Sequence, residues 1–343
     1  MKRFRIALLP GDGIGPEVVS EAVRCLKALG TIEFEFEELG VGAGEYLRSG
    51  DPLPEATFER LKEFDATLLG AMGLPSVRWP DGTEMTPQID LREKLDLFCG
   101  LRPVKLYAET DSPLRSPGHL DILLIRENTE GLFASRLQSV DTSADEVRDS
   151  LLVSRTASVR LFRAAFEQAR RRRGHVTLVD KANVLPSMAF FRRIFDEVAA
   201  EYPDVTTDRV YVDAAALYLV RTPDRFDVMV TENMYGDILS DLLAGLVGGM
   251  GMAPSADLGE RYGVFQPSHG TAPDIAGQGI ANPVATILSA VMMLEWLGAA
   301  DEARTLHSAV ERALADPAQR TRDMGGTLST AAMTDAVLTA IQG

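Results

Sequence analysis

Short apolar runs alternate with longer amphipathic segments along most of this sequence, and no other feature limits its possible folds as strongly. The runs that predict β-strands are Ile6–Leu9, Ala66–Leu69, Ile122–Ile125, Val176–Val179, Val210–Val212 and Val228–Thr231. The amphipathic segments that predict helices include Glu17–Leu29, Ser154–Arg171, Ser187–Glu201 and Asp237–Leu246. This alternation is typical of α/β proteins with a substantially parallel sheet, so we expect an α/β fold.

The length, charge and cysteine content narrow the class of protein. A chain of 343 residues without repeats or a flexible linker is long enough for two closely packed domains. Its net charge of −15 argues against nucleic-acid or anionic-membrane partners, because phosphates are bound mainly by Lys and Arg. Cys25 and Cys99 form neither a metal-ligand pattern nor a disulfide framework. With no signal-peptide pattern and no long apolar run, we expect a cytoplasmic protein.

The glycine-rich segment Gly11–Gly15 lies between the first predicted strand and the first predicted helix. A dinucleotide-binding loop would occupy this position, but its G-x-G-x-x-G spacing is not met, because the third glycine comes one residue early and Pro16 follows it. A tight strand-to-helix turn with positive φ angles explains the same glycines, and Pro16 is itself a helix-start signal. The residues alone leave both interpretations open.

Asp237 and Asp241 lie four residues apart, on one face of a predicted helix that begins near Asn233, a candidate cap. Two carboxylates on one face repel each other, and Mg²⁺ or Mn²⁺ is commonly bound by such a pair. A solvated acidic face is the alternative, but the leucine-rich flanks predict a largely buried helix, which favours the metal. Asp213, at the end of another predicted strand, is a candidate third ligand.

Several basic and amide side chains follow predicted strands or lie near them. Lys181 and Asn183 come just after an apolar strand, at the carboxyl edge of a sheet, where ligands of α/β proteins usually bind. Lys181 is either an anion ligand or base, or an ordinary surface lysine. Arg92, Arg102 and Arg126 are candidates for bidentate carboxylate binding, with surface ion pairs as the alternative.

Seven motifs of this chain together resemble the isocitrate/isopropylmalate dehydrogenase family, the metal-dependent β-decarboxylating dehydrogenases. They occur in the family's order from about Arg5 to the C-terminus, and only their combination is specific. The motifs are LPGDGIGPE, LRP, RENTEG, DKANVL, NMYGDILSD, GGMGMAPSA and HGTAPDIAGQGIANP.

The resemblance implies a two-domain α/β fold with a mixed parallel and antiparallel sheet, and not the dinucleotide-binding Rossmann fold. A large domain would comprise residues 1–98 and 248–343, on the cofactor side. A small domain, residues 99–247, would carry the dimer interface, the metal and the catalytic residues. The glycine segment would then be a strand-to-helix turn beside the cofactor cleft. Family members are homodimers whose active sites share residues across the interface.

Two sets of residues are implied to bind the substrate and the metal. Three arginines would bind the two carboxylates of a (2R)-malate: Arg92, Arg102 and Arg126. The ligands of Mg²⁺ or Mn²⁺ would be Asp237 and Asp241 of one subunit and Asp213 of the other, which would also supply the base, Lys181.

The cofactor residues implied by the resemblance lie mainly in one segment. They are Asn183 beside the nicotinamide and, around the adenosine, His269, Gly270, Thr271, Ala272, Asp274, Ile275 and Asn282. The carboxylate of Asp274 can accept hydrogen bonds from a ribose 2′-hydroxyl but would repel a 2′-phosphate. NADP-using relatives carry a basic residue at that position, so we expect NAD⁺.

Two positions depart from the family pattern. Phe133 occupies the place of a tyrosine thought to protonate the enolate carbon after decarboxylation, and phenylalanine has no proton to give. Water, Lys181 or another tyrosine would have to replace it, or decarboxylation is slow or absent. Gln266 replaces the glutamate of many relatives, which removes a charge near the cofactor.

The loop before Arg92 is expected to select the substrate, through Thr86, Gln88 and Ile89. Isopropylmalate enzymes typically have two leucines at the last two positions. Here Ile89 is apolar and Gln88 is polar, so only one of the two positions fits an isopropyl pocket. A hydroxyl residue and an amide match isocitrate enzymes in type, and the loop length also resembles that of tartrate and D-malate enzymes. Ile89 disfavours homoisocitrate, because homoisocitrate enzymes tend to carry arginine there.

The sequence therefore predicts an NAD⁺- and metal-dependent oxidation of a 3-substituted (2R)-malate, with β-decarboxylation and with 3-isopropylmalate as the lead substrate. Isocitrate, D-malate or tartrate, and oxidation without decarboxylation, are the alternatives within this class. A non-catalytic regulatory subunit of the family is the alternative from another class. The retained aspartates, arginines and Lys181 argue against that alternative.

Overall fold

The computed structural model describes residues 2–137 and 145–342, and its strands form one ten-stranded sheet. In chain order the strands are β1 (Lys2–Gly11), β2 (Ile32–Glu38), β3 (Ala66–Ala71), β4 (Cys99–Lys105), β5 (Asp121–Glu127), β6 (His175–Asp180), β7 (Thr206–Tyr211), β8 (Val228–Thr231), β9 (Pro254–Leu258) and β10 (Gly263–Pro267). Their order across the sheet is β2-β1-β3-β10-β9-β4-β5-β8-β6-β7.

Eleven α-helices lie between these strands or after them in the described parts of the chain. They are α1 (Gly15–Ala28), α2 (Ala43–Ser49), α3 (Glu55–Leu61), α4 (Pro87–Lys94), α5 (Arg155–Arg170), α6 (Pro186–Ala199), α7 (Val212–Arg221), α8 (Asn233–Leu246), α9 (Val284–Trp296), α10 (Ala300–Ala315) and α11 (Thr330–Gln342). Short 3-10 turns span Glu109–Asp111, Leu132–Leu137, Pro223–Arg225, Met250–Met252 and Arg322–Met324. None of these helices is both long and apolar enough to cross a membrane.

The sheet is mixed, as predicted. Pairs on its two outer parts are parallel: β1 with β2 and β3, β3 with β10, β5 with β8, and β6 with β7 and β8. In the middle, β10, β9, β4 and β5 pair successively in the antiparallel sense. Strands β3 and β8 are buried along their whole length, so helices cover both faces of the sheet.

The apolar alternation predicted the elements well. Each of the six predicted strands corresponds to a strand of the sheet, except that Val212 begins α7 instead of ending β7. Helix α5 begins after Ser154, whose side chain accepts a hydrogen bond from the Ala157 backbone N–H, so this cap lies at the predicted helix start. Cys25 is fully buried in the core, and both cysteines are free thiols.

The glycine segment forms a tight turn between β1 and α1. Gly11 and Gly13 have φ angles of 72° and 59°, a region that residues with a Cβ avoid. A Cβ on Gly13 would lie 2.0 Å from the backbone oxygen of Thr271, so no side chain can be accommodated there. Asp12 is buried, and its carboxylate accepts hydrogen bonds of 2.8 Å from the backbone N–H groups of Ala43, Gly44 and Gly73. The turn interpretation of the segment thus explains its glycines.

The strand order separates the sheet into two halves. The strands from the predicted large domain, β1–β3, β9 and β10, lie on one side, and β4–β8 from the predicted small domain lie on the other. The halves meet where β9 pairs with β4, with Leu101 opposite Ala256. The domain boundaries themselves stay a prediction.

Candidate active site

A cavity of about 190 Å³ lies beside the middle of the sheet, where the two halves meet. Its charged lining consists of side chains that the sequence predicted as substrate or metal ligands: Arg92, Arg102, Arg126, Asp237 and Asp241. Ligand pockets commonly enclose about 300–1,000 Å³, so this space suits a small acid better than a dinucleotide.

The three arginines reach the cavity from three different elements. Arg92 is in the last turn of α4, Arg102 is in β4, and Arg126 is in β5. The antiparallel register of β4 and β5 places Arg126 opposite Gly100, two residues from Arg102. All three side chains are at most 10% exposed, which is unusual for arginine and requires that their charges be compensated.

A carboxylate that the sequence did not single out, Asp257 of β9, compensates two of these arginines. Its Oδ2 accepts a hydrogen bond of 2.8 Å from Arg92 Nε, and its Oδ1 accepts one of 2.8 Å from Arg102. Asn128 and Gln266 also donate to it, at 2.9 and 2.7 Å. Burial alone would raise the pKa of Asp257, but the charges of Arg102 and Arg92 hold it well below its usual range. Asp257 is therefore ionised at neutral pH.

Asp257 was missed because its importance depends on neighbours far away in the chain. Its strand lies between β4 and β10, and those pairings bring Gly100 and Val264 beside it. The available signal was a lone acidic residue next to Ala256 in an otherwise uncharged stretch, PSADL.

Arg126 is compensated by α8. Its guanidinium donates to Asn233 Oδ1 at 3.0 and 2.7 Å and pairs with Asp237. Gly236 allows this close approach, because a Cβ there would lie 2.6 Å from Arg126 Cγ. Burial, and then the charge of Arg92, lowers the pKa of Arg126 to about 10, so it stays protonated at neutral pH.

The aspartate pair lies as predicted on one face of α8, but two details of that helix differ. Its N-cap is Glu232, whose side chain accepts hydrogen bonds from the Tyr235 and Met234 backbone N–H groups, and Asn233 is the first helical residue. The helix is also less buried than its leucines predicted, because Ile238 is 60% exposed. Apolar periodicity reports neither which side chain caps a helix nor which apolar side chains are covered by a neighbouring element.

Asp237 and Asp241 have the donor chemistry of a hard-cation site. Burial, and then the charge of Asp237, raises the pKa of Asp241, and a bound cation would relieve this repulsion. No cluster of three acidic, histidine or cysteine side chains suitable for a metal occurs within residues 2–137 and 145–342. One copy of the chain thus offers two of the three predicted metal ligands at this place.

Lys181 and Asp213 form a pair of their own and do not line the cavity. Lys181 Nζ donates to Asp213 Oδ1 at 2.6 Å, and the Asp213 side chain is 69% exposed. The hydrogen bond from Lys181, the largest contribution, lowers the pKa of Asp213. The sequence predicted Asp213 at the end of a strand, but it lies in the first turn of α7. Asn183, just after β6, is exposed.

The residues expected to select the substrate are only partly at the cavity. Gln88 lines it, and its Oε1 is buried without a hydrogen-bond partner among the described residues. Thr86 precedes α4 as its N-cap, and Ile89 is half-buried; neither lines the cavity. The ring of Phe133 lies 5.2 Å from the Arg126 guanidinium carbon, so it contacts an arginine of the cavity.

The predicted cofactor segment runs from the cavity to the surface. His269 and Gly270 line the cavity, and His269 Nε2 is buried without a partner in the part of the chain described. Burial lowers the pKa of His269, so its ring is neutral at pH 7. The Thr271 backbone oxygen accepts from Ile14 N–H at 2.9 Å, which ties the segment to the glycine turn.

The rest of the cofactor segment has mixed surroundings. Ala272 adopts a φ of 37°, Asp274 is exposed, and Ile275 packs against Ile14. The Asn282 side chain is already engaged, since it donates to Asp323 at 3.0 Å and accepts from the Val284 backbone N–H. A buried imidazole nitrogen of His269 that has no hydrogen-bond partner among the described residues and the exposed carboxylate of Asp274 are chemically suited to an adenosine. They fit the implied dinucleotide.

Comparisons with known proteins identify one family. A family model described as isocitrate/isopropylmalate dehydrogenase matches residues 5–337. A 3-isopropylmalate dehydrogenase of Carboxydothermus hydrogenoformans is 46% identical over 326 residues, covering 91% of this chain and 87% of that protein. One of Corynebacterium efficiens is 42% identical over 344 residues, covering 98% and 99%.

Solved structures resemble the whole chain. An isocitrate dehydrogenase from Methylococcus capsulatus superposes with a TM-score of 0.90 at 36% identity, covering 99% of this chain and 100% of the other. A beta-decarboxylating dehydrogenase from Thermococcus kodakarensis, in its apo form, gives 0.84 at 37%, covering 99% and 96%. The predicted fold type is confirmed, and it is not the dinucleotide-binding Rossmann fold.

Proposed function

The chain belongs to the isocitrate/isopropylmalate dehydrogenase family, and we propose that it oxidises a 3-substituted (2R)-malate with NAD⁺ and Mg²⁺ or Mn²⁺. The observation that carries this proposal is the single cavity in which three buried arginines meet Asp237 and Asp241. 3-Isopropylmalate is the lead substrate, because the curated relatives described above carry that name.

The arginines bind and orient the substrate carboxylates in this proposal. Among the described residues, the Arg92 side chain makes hydrogen bonds only through Nε, so its two terminal nitrogens remain available for a bidentate contact. Arg126 holds its position through Asn233, which leaves its guanidinium fixed at the cavity wall. A substrate bound by these groups is held in one orientation, which lowers the entropy lost on reaching the transition state.

Asp237 and Asp241 would hold the divalent cation, together with Asp213 of a second copy of the chain. When bound, such a cation supplies Lewis-acid polarisation of the substrate oxygens. Lys181 of that second copy would accept the hydroxyl proton at its Nζ. Its pairing with Asp213 at 2.6 Å would bring both groups to the neighbouring cavity together.

The cofactor proposed is NAD⁺, which supplies the hydride acceptor. His269, Gly270 and Thr271 would bind its adenosine, with Asn282 shaping the adjacent backbone and Asn183 beside the nicotinamide. Asp274 supports NAD⁺ over NADP⁺, because an exposed carboxylate would repel a 2′-phosphate.

The proposed assembly is a homodimer. Neighbouring helices α7 and α8 leave three apolar side chains uncovered, since Leu217, Val220 and Ile238 are 54%, 48% and 60% exposed. The same two helices carry Asp213, Asp237 and Asp241. A second copy that covers this apolar surface would also bring the missing ligand and base.

Decarboxylation is the step that Phe133 affects. Phe133 lies against Arg126 and offers no proton where a positioned donor typically contributes about 10²–10⁴-fold in rate. The proposal includes β-decarboxylation of the oxidised product because a solved relative is named a beta-decarboxylating dehydrogenase. Oxidation alone is the second candidate, and Phe133 favours it.

The deciding experiment incubates the protein with NAD⁺ and Mn²⁺ against 3-isopropylmalate, isocitrate, D-malate and tartrate, and measures NADH and CO₂ in the same vessel. Equal yields of both products from 3-isopropylmalate are expected. NADH without CO₂ would establish oxidation alone. Neither product from any acid would contradict the proposal and favour a non-catalytic subunit.

A further inference from the structure

We infer that Asp257 limits the number of negative charges that the site accepts on its substrate. The site then binds a dicarboxylate with an uncharged substituent at C3 and discriminates against a tricarboxylate. The inference deepens the proposed function and rests on it. It concerns a residue that does not touch the reacting atoms but controls what Arg92 and Arg102 can bind.

The position of Asp257 is fixed by the sheet. It lies on β9, which is hydrogen-bonded to β4 on one side and to β10 on the other, and the side chain is 1% exposed. Its two oxygens together accept four hydrogen bonds, from Arg92, Arg102, Asn128 and Gln266. A carboxylate held in this way cannot move aside when an acid enters the cavity, because it would leave two buried arginines without their partner.

Asp257 occupies hydrogen-bond donors of Arg92 and Arg102 that a substrate carboxylate could otherwise use. Arg102 donates one terminal nitrogen to Asp257 and the other to the backbone oxygens of Leu101 and Ala256. Arg92 gives its Nε to Asp257. The two arginines carry two positive charges, and Asp257 removes one. The pair can therefore compensate one substrate carboxylate, and Arg126, already paired with Asp237, contributes part of the compensation for a second.

Gln266 is a neutral hydrogen-bond donor to Asp257. Its Nε2 donates to Asp257 Oδ2 at 2.7 Å, and both side chains are buried. The glutamate that many relatives carry at this position would place a second carboxylate against Asp257. Like charges at this distance in a buried site are strongly unfavourable. The amide at 266 and the carboxylate at 257 thus belong together, which explains the departure from the family pattern.

The cations among the described side chains that line the cavity are Arg92, Arg102 and Arg126, and Asp257 and Asp237 already compensate part of their charge. The divalent cation would be shared with Asp237 and Asp241, so a third substrate carboxylate would have no cation of its own. The uncharged wall of the cavity includes Gly70, Ala71 and Met72, and Gln88 contributes an oxygen that has no hydrogen-bond partner in the described part of the chain. Asp257 acts through Arg92 and Arg102, which lie between it and the cavity, and the one positive charge that it removes from this pair corresponds to about tenfold or more in the binding of a third carboxylate. An isopropyl or other uncharged group at C3 does not need that charge.

The test compares the wild type with D257N, which keeps the size of the side chain and removes its charge. Values of kcat/KM for 3-isopropylmalate and isocitrate are measured with NAD⁺ and Mn²⁺, and Kd values for both acids are measured by calorimetry with Mn²⁺. We expect the wild type to prefer the dicarboxylate and D257N to shift both ratios toward isocitrate by about tenfold or more. Unchanged ratios, or a wild type that prefers isocitrate, would overturn the inference.

The variants Q266E and D257N/Q266E control for folding. Q266E alone should lower the melting temperature, whereas the double variant restores the charge of the cluster and should recover both the stability and the preference for the dicarboxylate. A double variant that keeps the D257N preference would count against the inference. If no variant oxidises either acid but the Kd ratios shift as expected, the proposed function fails and the inference stands. If neither acid binds any variant, both fail.

Discussion

At the scale of single residues, the active-site cavity is a set of buried charges in compensated groups. Asp257 compensates Arg92 and Arg102, and Asn233 with Asp237 compensates Arg126. Buried charges are costly unless they are paired and hydrogen-bonded, so each group constrains the residue types around it. Phe133 is the neutral member beside these groups, and its ring shields one face of Arg126.

Restoring a hydroxyl at position 133 should accelerate protonation of the product carbon, the step that follows loss of CO₂. The F133Y variant gains a proton donor beside Arg126, and we expect the 2-oxo acid to form from the decarboxylated enolate about tenfold faster or more, because positioned donors typically contribute about 10²–10⁴-fold. NADH formation in a single turnover should change little, since hydride transfer precedes that proton transfer. The measurement is the single-turnover rate of 2-oxo acid formation relative to NADH formation with 3-isopropylmalate.

A matched control for this substitution is F98Y. Phe98 is also half-buried and also lies against an arginine, 4.3 Å from the Arg160 guanidinium carbon, but outside the cavity. F98Y should leave both rates unchanged. If F133Y behaves like F98Y, another group already protonates the product carbon.

The candidate site was only partly predictable at this scale. The sequence indicated Arg92, Arg102 and Arg126, and the structure brings them together, while their roles stay proposals. It did not indicate Asp257, because a single aspartate in a strand acquires its meaning from the neighbours that the sheet supplies. Asn282 was predicted at the adenine, and its side chain is engaged by Asp323 and the start of α9.

At the scale of elements, the turn between β1 and α1 supports the predicted cofactor segment. Ile14 N–H donates to the Thr271 oxygen, and Gly13 lies directly against that same oxygen. Apolar periodicity located the strand and the helix, since burial of one face determines it. It could not reveal that the turn contacts a segment more than 250 residues away, because no local pattern encodes such a contact.

The G13A variant should weaken NAD⁺ binding more than substrate binding. An added Cβ at 2.0 Å from the Thr271 oxygen forces the cofactor segment to shift, whereas the arginines are held by β4, β5 and α4. We expect KM for NAD⁺ to rise by about tenfold with KM for the malate within about twofold. Steady-state kinetics with each substrate varied in turn measures both.

Gly30 provides the control for backbone strain. Its φ is 69°, close to the value at Gly13, but nothing lies within 4 Å of a Cβ placed there. G30A should therefore cost stability, by about 1 kcal/mol or more for a residue forced into that conformation, without affecting KM for NAD⁺. Equal effects of G13A and G30A on KM would show that the contact with Thr271 is unimportant.

At the scale of the whole molecule, the catalytic groups proposed for one reaction are divided between two places on the chain. Asp237 and Asp241 line the cavity, and Lys181 with Asp213 lies outside it. The α/β class and the mixed sheet followed from the sequence pattern and the resemblance. The sharing of residues between copies depends on a surface whose partner the chain itself does not specify, so it stays a prediction.

Mixing two inactive variants tests that sharing. K181A and D237N should each be inactive alone. After the two are unfolded and refolded together, half of the dimers are mixed, and each mixed dimer has one intact site if the base comes from the other copy. About a quarter of the wild-type activity should return. No recovery, with mixed dimers shown to be present, would place all of the groups within one copy.

The hairpin of β9 and β10 lies between β3 and β4, which are consecutive along the chain. Synthesis of both flanking strands is therefore complete long before residues 254–267 are made. These residues form the hairpin that lies between β3 and β4 and pairs with both. Until then, each nascent half presents an unpaired strand edge, which is the kind of surface that recruits other chains. Release of the chain before residue 254 would leave both edges open. We therefore expect truncated products to depend on chaperones or to aggregate.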